Sequence, residues 1–299
     1  MIKPIGHDKA LETLEKIAIN KKIPHSFIFS GIEGIGKKLS ALYFAKLLNC
    51  ESEETIPCNI CSSCKKIEKN IHPDIFILDT EKKQITIEMV REVISFSQTN
   101  PFEGKYKVAI VNDAHKLNQF ASNALLKTIE EPYSSTIFIL ITHSLNRLLP
   151  TIQSRCIKIN FSPLNKEKLI DVLLQMGYER EKIDEIIELT DGSVLQAINL
   201  LDEEVFNDIT TMKNFINYIQ TKNFFEIANF CEEITKKNGE ELLLAILTKH
   251  FYFQIHSNAN DTPFEMLNKY QKTINFHKNL RYNVNKAFLL ETLLLTLQK

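Results

Sequence analysis

The sequence predicts an α/β fold, a mainly parallel sheet sandwiched by helices, followed by two all-helical groups. Three observations predict it. Short, nearly continuous apolar runs of β type alternate with amphipathic stretches through the first half of the chain. The first of those runs feeds directly into a glycine-rich loop that opens a helical pattern. After Pro163 the periodicity is helical, with few Gly or Pro punctuators and no convincing strand. A chain of 299 residues with 44% apolar content is long enough for two or three compact units.

The predicted strands are Ser26 to Ser30, Asp74 to Asp79, Lys107 to Asp113, Thr136 to Thr142 and Cys156 to Phe161. Their short, apolar character is that of strands covered on both faces. Between them, Lys37 to Leu48, Thr86 to Gln98 and Gln119 to Glu131 read as amphipathic helices. A first helical group runs to about Leu201, and Asp202-Glu203-Glu204 marks a seam before a second group reaching Lys299. In that second group Leu242 to Phe251 and Asn285 to Leu297 are strongly apolar at helical spacing, as bundle core or as an oligomer contact.

Lys and Arg total 36 against 37 Asp and Glu, a net charge of -1, which argues against a broad basic surface for wrapping nucleic acid. The opening MIKPIGHDKA lacks the apolar core of a signal peptide. No apolar run approaches the roughly 18 residues of a membrane span, so a cytoplasmic protein is expected. In that reducing setting the six cysteines read as thiols or metal ligands.

The loop is Gly31-Ile32-Glu33-Gly34-Ile35-Gly36-Lys37-Lys38. Glycines at 31, 34 and 36 permit a tight phosphate-binding turn (a P-loop) that points backbone N–H groups at phosphate oxygens, with Lys37 as a point charge. The last position should carry a Ser or Thr hydroxyl to ligate magnesium, and Lys38 stands there instead. An ammonium has no lone pair to give a metal. At the end of the run Val108 to Asp113, ATPases of this class present a carboxylate for magnesium and then a Glu that activates water. Asp113 fills the first role and Ala114 the second, and a methyl group cannot orient a water. Asp113 reads equally as a cap for the helix that follows.

Cys58, Cys61 and Cys64, with Cys50 upstream, place four thiols in a polar insertion between a helix and a strand. Thiolates at that density suit tetrahedral zinc with no open position, which is a structural site. A redox pair of Cys61 and Cys64 is the competing chemistry, but it leaves the other two unexplained. His72, His115 and His143 lack the spacing to displace a cysteine, and Cys156 and Cys231 read as packed thiols.

Further motifs are Pro4-Ile5-Gly6-His7, the run Pro24 to Gly31, Ser122 to Pro132 (SNALLKTIEEP) and Ser154-Arg155-Cys156. Together with the loop and the cysteines they resemble the AAA+ clamp-loader family of bacterial DNA polymerase III, over most of residues 1 to 201. The resemblance implies an AAA+ domain over 1–162 with a zinc module at about 50–72, a helical lid over 163–202 and a helical collar over 203–299. It places Thr142 where a γ-phosphate sensor lies, and Leu195, in Gly192-Ser193-Val194-Leu195, where hydrolysing relatives carry a sensor Arg. Arg155 would then be an arginine finger, acting in trans on the γ-phosphate held by a neighbouring subunit. The implied protein has a non-functional ATP and magnesium site and is a non-catalytic part of a DNA-directed DNA polymerase holoenzyme. Its implied partners are gamma/tau-type ATPase subunits, a delta subunit, the sliding clamp and, through the assembly, primer-template DNA.

Two other readings stay open at this point. A hydrolysing motor of the same loader would need Ser or Thr at 38, Glu at 114 and Arg at 195. A zinc-dependent DNA-binding module would need a basic surface, whereas the cysteines adjoin the acidic segment Glu51 to Glu54.

Overall fold

The computed structural model describes residues 3–20, 22–52, 54–133, 135–257, 263–279 and 285–298. Glu53 of the acidic segment and the outer domain limits, Met1 and Lys299, lie outside the described residues. The chain forms two compact units, residues 1–178 with 191–196 and residues 179–190 with 197–299. The stretch 163–202, set apart in the sequence as a lid, contributes to both.

The first unit runs α1 (Asp8–Ile19), β1 (Ser26–Ser30), α2 (Lys37–Asn49), α3 (Ser62–Glu68), β2 (Ile75–Leu78), α4 (Ile87–Ser97) and β3 (Lys107–Val111). It continues through α5 (Gln119–Glu130), β4 (Thr136–Thr142), α6 (Pro150–Arg155), β5 (Ile157–Asn160) and α7 (Lys166–Gln175). The five strands form one sheet in the order β2-β3-β4-β1-β5, every pair parallel. With the helices on its two faces, this is an α/β fold built on one parallel sheet.

Side chains alternate across the sheet, as the two-residue period of a strand requires. Phe27, Phe29, Ile110, Ile139 and Ile159 pack in one core with α1 and α2. Ile28, Ala109, Val111, Phe138 and Leu140 enter the opposite core beneath α4 and α5. Central strands β1, β3 and β4 are buried along their whole length, which is why they read as continuous apolar runs. Strand β5 departs from that expectation. It is an edge strand, with Ile159 buried and Ile157 43% exposed.

Two of the predicted strands shorten at an end for a local reason. Asp74, fully buried, lies just outside β2 because its carboxylate accepts from the N–H groups of Phe102, Glu103 and Gly104 at 2.7, 2.9 and 2.7 Å. Asn112 and Asp113 turn away after β3, Asp113 with φ +48°. Helix α5 starts where Asn118 accepts from the N–H of Ala121 at 2.9 Å, so its cap is Asn118 and not Asp113.

The second unit holds α8 (Arg180–Ile186), the last turns of α9 (Val194–Leu200), α10 (Glu203–Asn217), α11 (Phe224–Lys236), α12 (Glu240–Ser257), α13 (Pro263–Asn279) and α14 (Lys286–Gln298). The predicted seam is a helix start, where Asp202 accepts from the N–H of Glu204 at 3.2 Å. Asn223 and Glu226 form a reciprocal capping box on α11. Leu243, Leu244, Leu290, Leu293 and Leu294 are fully buried, so the apolar runs supply bundle core. Phe264 and Phe288 stay 80% and 65% exposed. Among the described residues, no helix is long and apolar enough to cross a membrane.

Candidate functional site

Strand β1 delivers Gly31 at the C-terminal ends of the strands, and its N–H donates to the carbonyl of Thr142 at the end of β4 at 3.3 Å. Gly36 precedes α2 with φ +94°, a conformation glycine adopts without a Cβ penalty. Gly34, at φ +74°, is also needed for space. A Cβ there would lie 2.3 Å from Leu195 Cβ and 2.5 Å from Ser193 Oγ.

Those neighbours close the loop from outside. The N–H groups of Val194 and Leu195 donate to the Gly34 carbonyl at 3.0 and 3.3 Å, and Ser193 Oγ donates to the Glu33 carbonyl at 2.8 Å. Lys37 closes it from inside. Its ammonium donates to the carbonyls of Gly31 at 2.7 Å and Ile32 at 2.5 Å, and the residue is 7% exposed. Burial pushes its pKa down to about 8, although Glu33 and Asp113 pull the other way.

That shift has a stability consequence. A lysine whose folded pKa lies below its unfolded value disfavours folding while it is charged in both states. The penalty is complete below about pH 8 and fades as pH rises toward 10.5. Lys37→Met is expected to stabilise the chain at pH 7 by about 1 kcal/mol after the lost hydrogen bonds are counted, with the gain shrinking between the two pKa values. Denaturant melts at pH 7 and pH 9.5 check it, and a gain that grows with pH contradicts it.

Lys38 ion-pairs with Asp79 at 2.6 Å, and Asp79 also accepts from Asn112 Nδ2 at 3.0 Å. Donation from Lys38 holds the Asp79 carboxyl below its ordinary value. The magnesium position of the motif is therefore taken by a cation that already has its own counter-ion. Asp79 and Asn112 escaped the sequence reading because nothing local links residue 38 to residues 79 and 112. Asp113 instead pairs with Lys116 at 2.8 Å and makes no cap hydrogen bond. Ala114 is buried, Leu195 is 44% exposed beside Gly34, and the buried Thr142 uses its Oγ1 to accept from the N–H of Ser144 at 3.0 Å.

Arg155 ends α6 on the surface. Its guanidinium pairs with Glu130 at 2.8 Å and donates to the Thr151 carbonyl at 3.1 Å. Both partners of the ion pair are about two-fifths exposed, at 42% and 39%, so it holds the arginine weakly, by about 0 to 1 kcal/mol. The Arg155 carbonyl accepts from Ser26 Oγ at 2.9 Å, which fixes the residue at the N-terminal end of β1. The phosphate loop leaves the other end of that five-residue strand, roughly 16 Å away at ~3.3 Å per residue. One arginine side chain does not span that distance.

The cysteines converge where α2 ends and α3 begins. Cys50 follows α2, Cys61 caps α3 and Cys64 lies in its first turn. Their Sγ atoms and that of Cys58 lie within 4.8 Å of one another. A tetrahedral zinc with ~2.3 Å bonds to sulfur places its ligands about 3.8 Å apart, so the set fits with small rotations. Backbone N–H groups of Cys58, Cys61 and Cys64 point at the sulfurs of Cys50, Cys58 and Cys61 at 3.4, 3.3 and 3.3 Å. Such donors favour thiolates, and those of Ile60 and Cys61 bring the Cys58 thiol down to about 6. Burial pushes Cys50 and Cys64 up. All six cysteines are free, Cys156 and Cys231 being buried. His72 has both nitrogens engaged, with Ser63 Oγ and the Asp74 N–H at 3.1 Å each, and is no ligand.

Residues 6–165 match the family described as DNA polymerase III, delta subunit. The chain is 34% identical to the DNA polymerase III subunit gamma of Buchnera aphidicola subsp. Schizaphis graminum, over 70% of this chain and 58% of that one. It is 28% identical to the subunit delta' of Bacillus subtilis, over 93% of this chain and 92% of that one. A crystal structure of a gamma subunit-related protein from Thermotoga maritima aligns over 97% of this chain and 98% of the other, at 18% identity and a TM-score of 0.46. The chain spans between 30% and 64% of the length of the gamma and tau subunits it matches.

Proposed function

The chain belongs to the DNA polymerase III delta-subunit family of clamp-loader proteins, and from that premise we propose that it is a delta-prime-type subunit that hydrolyses no ATP and completes the ATP site of a neighbour. The observation that carries this reading is the separation of its two functional ends. Arg155 stands at the N-terminal edge of β1 and its own phosphate loop at the C-terminal edge, so the guanidinium serves a nucleotide held by another subunit.

In the proposed mechanism Arg155 releases Glu130 and forms two hydrogen bonds to γ-phosphate oxygens across the subunit boundary, where its planar, permanent charge stabilises the transition state. Exchanging an exposed carboxylate for a phosphate costs little. Meanwhile this chain's own loop stays closed, since the Lys37 ammonium that a phosphate would need donates instead to the Gly31 and Ile32 carbonyls, Lys38 stands at the magnesium position paired with Asp79, and Ser193 to Leu195 hold the Glu33 and Gly34 carbonyls. The proposed domains are the AAA+ unit over 1–162, the lid over 163–202 and a collar over 203–299. Through the collar it would join gamma/tau-type subunits and a delta subunit in the cytoplasm, opening the sliding clamp for primer-template DNA. Cys50, Cys58, Cys61 and Cys64 would hold a structural zinc, which when bound cross-links the module at about 50–72.

The motor alternative makes the opposite prediction for the purified chain. Turnover of ATP with magnesium is expected at background, and Lys38→Thr is expected to leave it there, because Ala114 still supplies no water-orienting carboxylate. Phosphate-release kinetics check this. A wild-type rate that Lys37→Ala abolishes would make the chain a motor.

A further inference from the structure

We propose that this chain carries a second metal site, distinct from the cysteine cluster, in which Asp113, His115 and His143 bind a borderline divalent transition ion of the zinc class.

Strands β3 and β4 are parallel neighbours in the sheet, and the segments leaving their C-terminal ends bring the three residues together. One ligand atom from each, a carboxylate oxygen and two imidazole nitrogens, lies within 4.8 Å of the others. The two imidazole rings sit with centroids 3.9 Å apart, tilted by 47°. An ion with bonds of ~2.0–2.1 Å to nitrogen and oxygen wants donors about 3.4 Å apart, a change within side-chain rotation.

A second observation points to a ligand. His115 is 8% exposed, and its Nδ1 is buried with no hydrogen-bond partner among the described residues. A buried polar atom left unpaired costs on the order of 1–3 kcal/mol, and a metal ion satisfies it. Lys116 bonds Asp113 at Oδ2 but does not exhaust the carboxylate, which offers about four acceptor sites. Two imidazoles and one carboxylate suit zinc-class ions, whereas magnesium prefers a set of oxygens. Three protein ligands also leave a fourth position open. His143, alone of the three, lines a cavity of 410 Å³ with Gly31, the first residue of the phosphate loop.

The test is zinc content of the full chain after dialysis against buffered zinc, measured by plasma mass spectrometry for wild type and His143→Ala. His143 is exposed, so the variant folds. His143→Ala is expected to hold one zinc per chain fewer than wild type. Equal content in the two overturns the site. The readout is a difference, so it stands whether or not the cysteines hold zinc. Replacing Cys58 and Cys61 by Ser tests that cluster separately and is expected to leave the His143-dependent zinc in place.

Discussion

In a reconstituted clamp loader, Arg155→Ala in this subunit is expected to lower ATP turnover by about a thousandfold, the typical worth of an arginine finger. The effect is large for its position because the residue does nothing substantial for its own fold. Among the described residues its ion pair is the exposed one with Glu130, so the variant is expected to melt like wild type. Arg155→Lys is expected to recover little, since an ammonium lacks the two-pronged geometry that meets phosphate oxygens. Steady-state phosphate release, with assembly verified by gel filtration, measures both variants. Equal loss of turnover and of assembly would make Arg155 an interface residue and nothing more.

The second large effect is expected at the cysteines. Replacing Cys58 and Cys61 by Ser is expected to remove one zinc per chain and destabilise the first unit by several kcal/mol. Zinc ligation supplies free energy that a short polar insertion lacks, an apparent ~10–16 kcal/mol for structural zinc in isolated peptides at pH 7. The loss is expected to spread because of Lys46 on α2. Its fully buried ammonium is held 3.1 Å from Glu68 Oε2 and 3.1 Å from Asn59 Oδ1, both in the cysteine module. Melting the module takes away both partners of that ammonium, one of them the 40% exposed Glu68, a further loss of about 1.5–3 kcal/mol for hydrogen bonds to a charged group. Lys46→Met in the serine background is therefore expected to restore part of the stability. Calorimetry of the four proteins reads the coupling, and strict additivity would contradict it.

What was legible in the sequence follows from the range of the interactions involved. The central strands, α2, α4 and α5 follow from periodicity, a property of neighbouring residues. The four-cysteine cluster and the glycines of the loop were readable because ligand spacing and turn geometry are local too. Helix α3, nucleated beside the cysteines, was hidden by its short length and polar composition. The exposed face of β5 was hidden because edge position is a property of sheet order. The closing contacts of the loop were not legible at all. Ser193 reaches Glu33 across 160 residues, and Asp79 reaches Lys38 across 41. Asp113, His115 and His143 meet because β3 lies beside β4, which no spacing in the sequence announces.

The central claim is that this chain's own loop is idle while its arginine works elsewhere. The most direct measurement is ATP turnover of the loader assembled with this subunit as wild type, as Lys37→Ala or as Arg155→Ala. The account predicts Lys37→Ala within about twofold of wild type and Arg155→Ala down by about a thousandfold. Strong loss with Lys37→Ala and little with Arg155→Ala would contradict it and return the catalytic role to the loop.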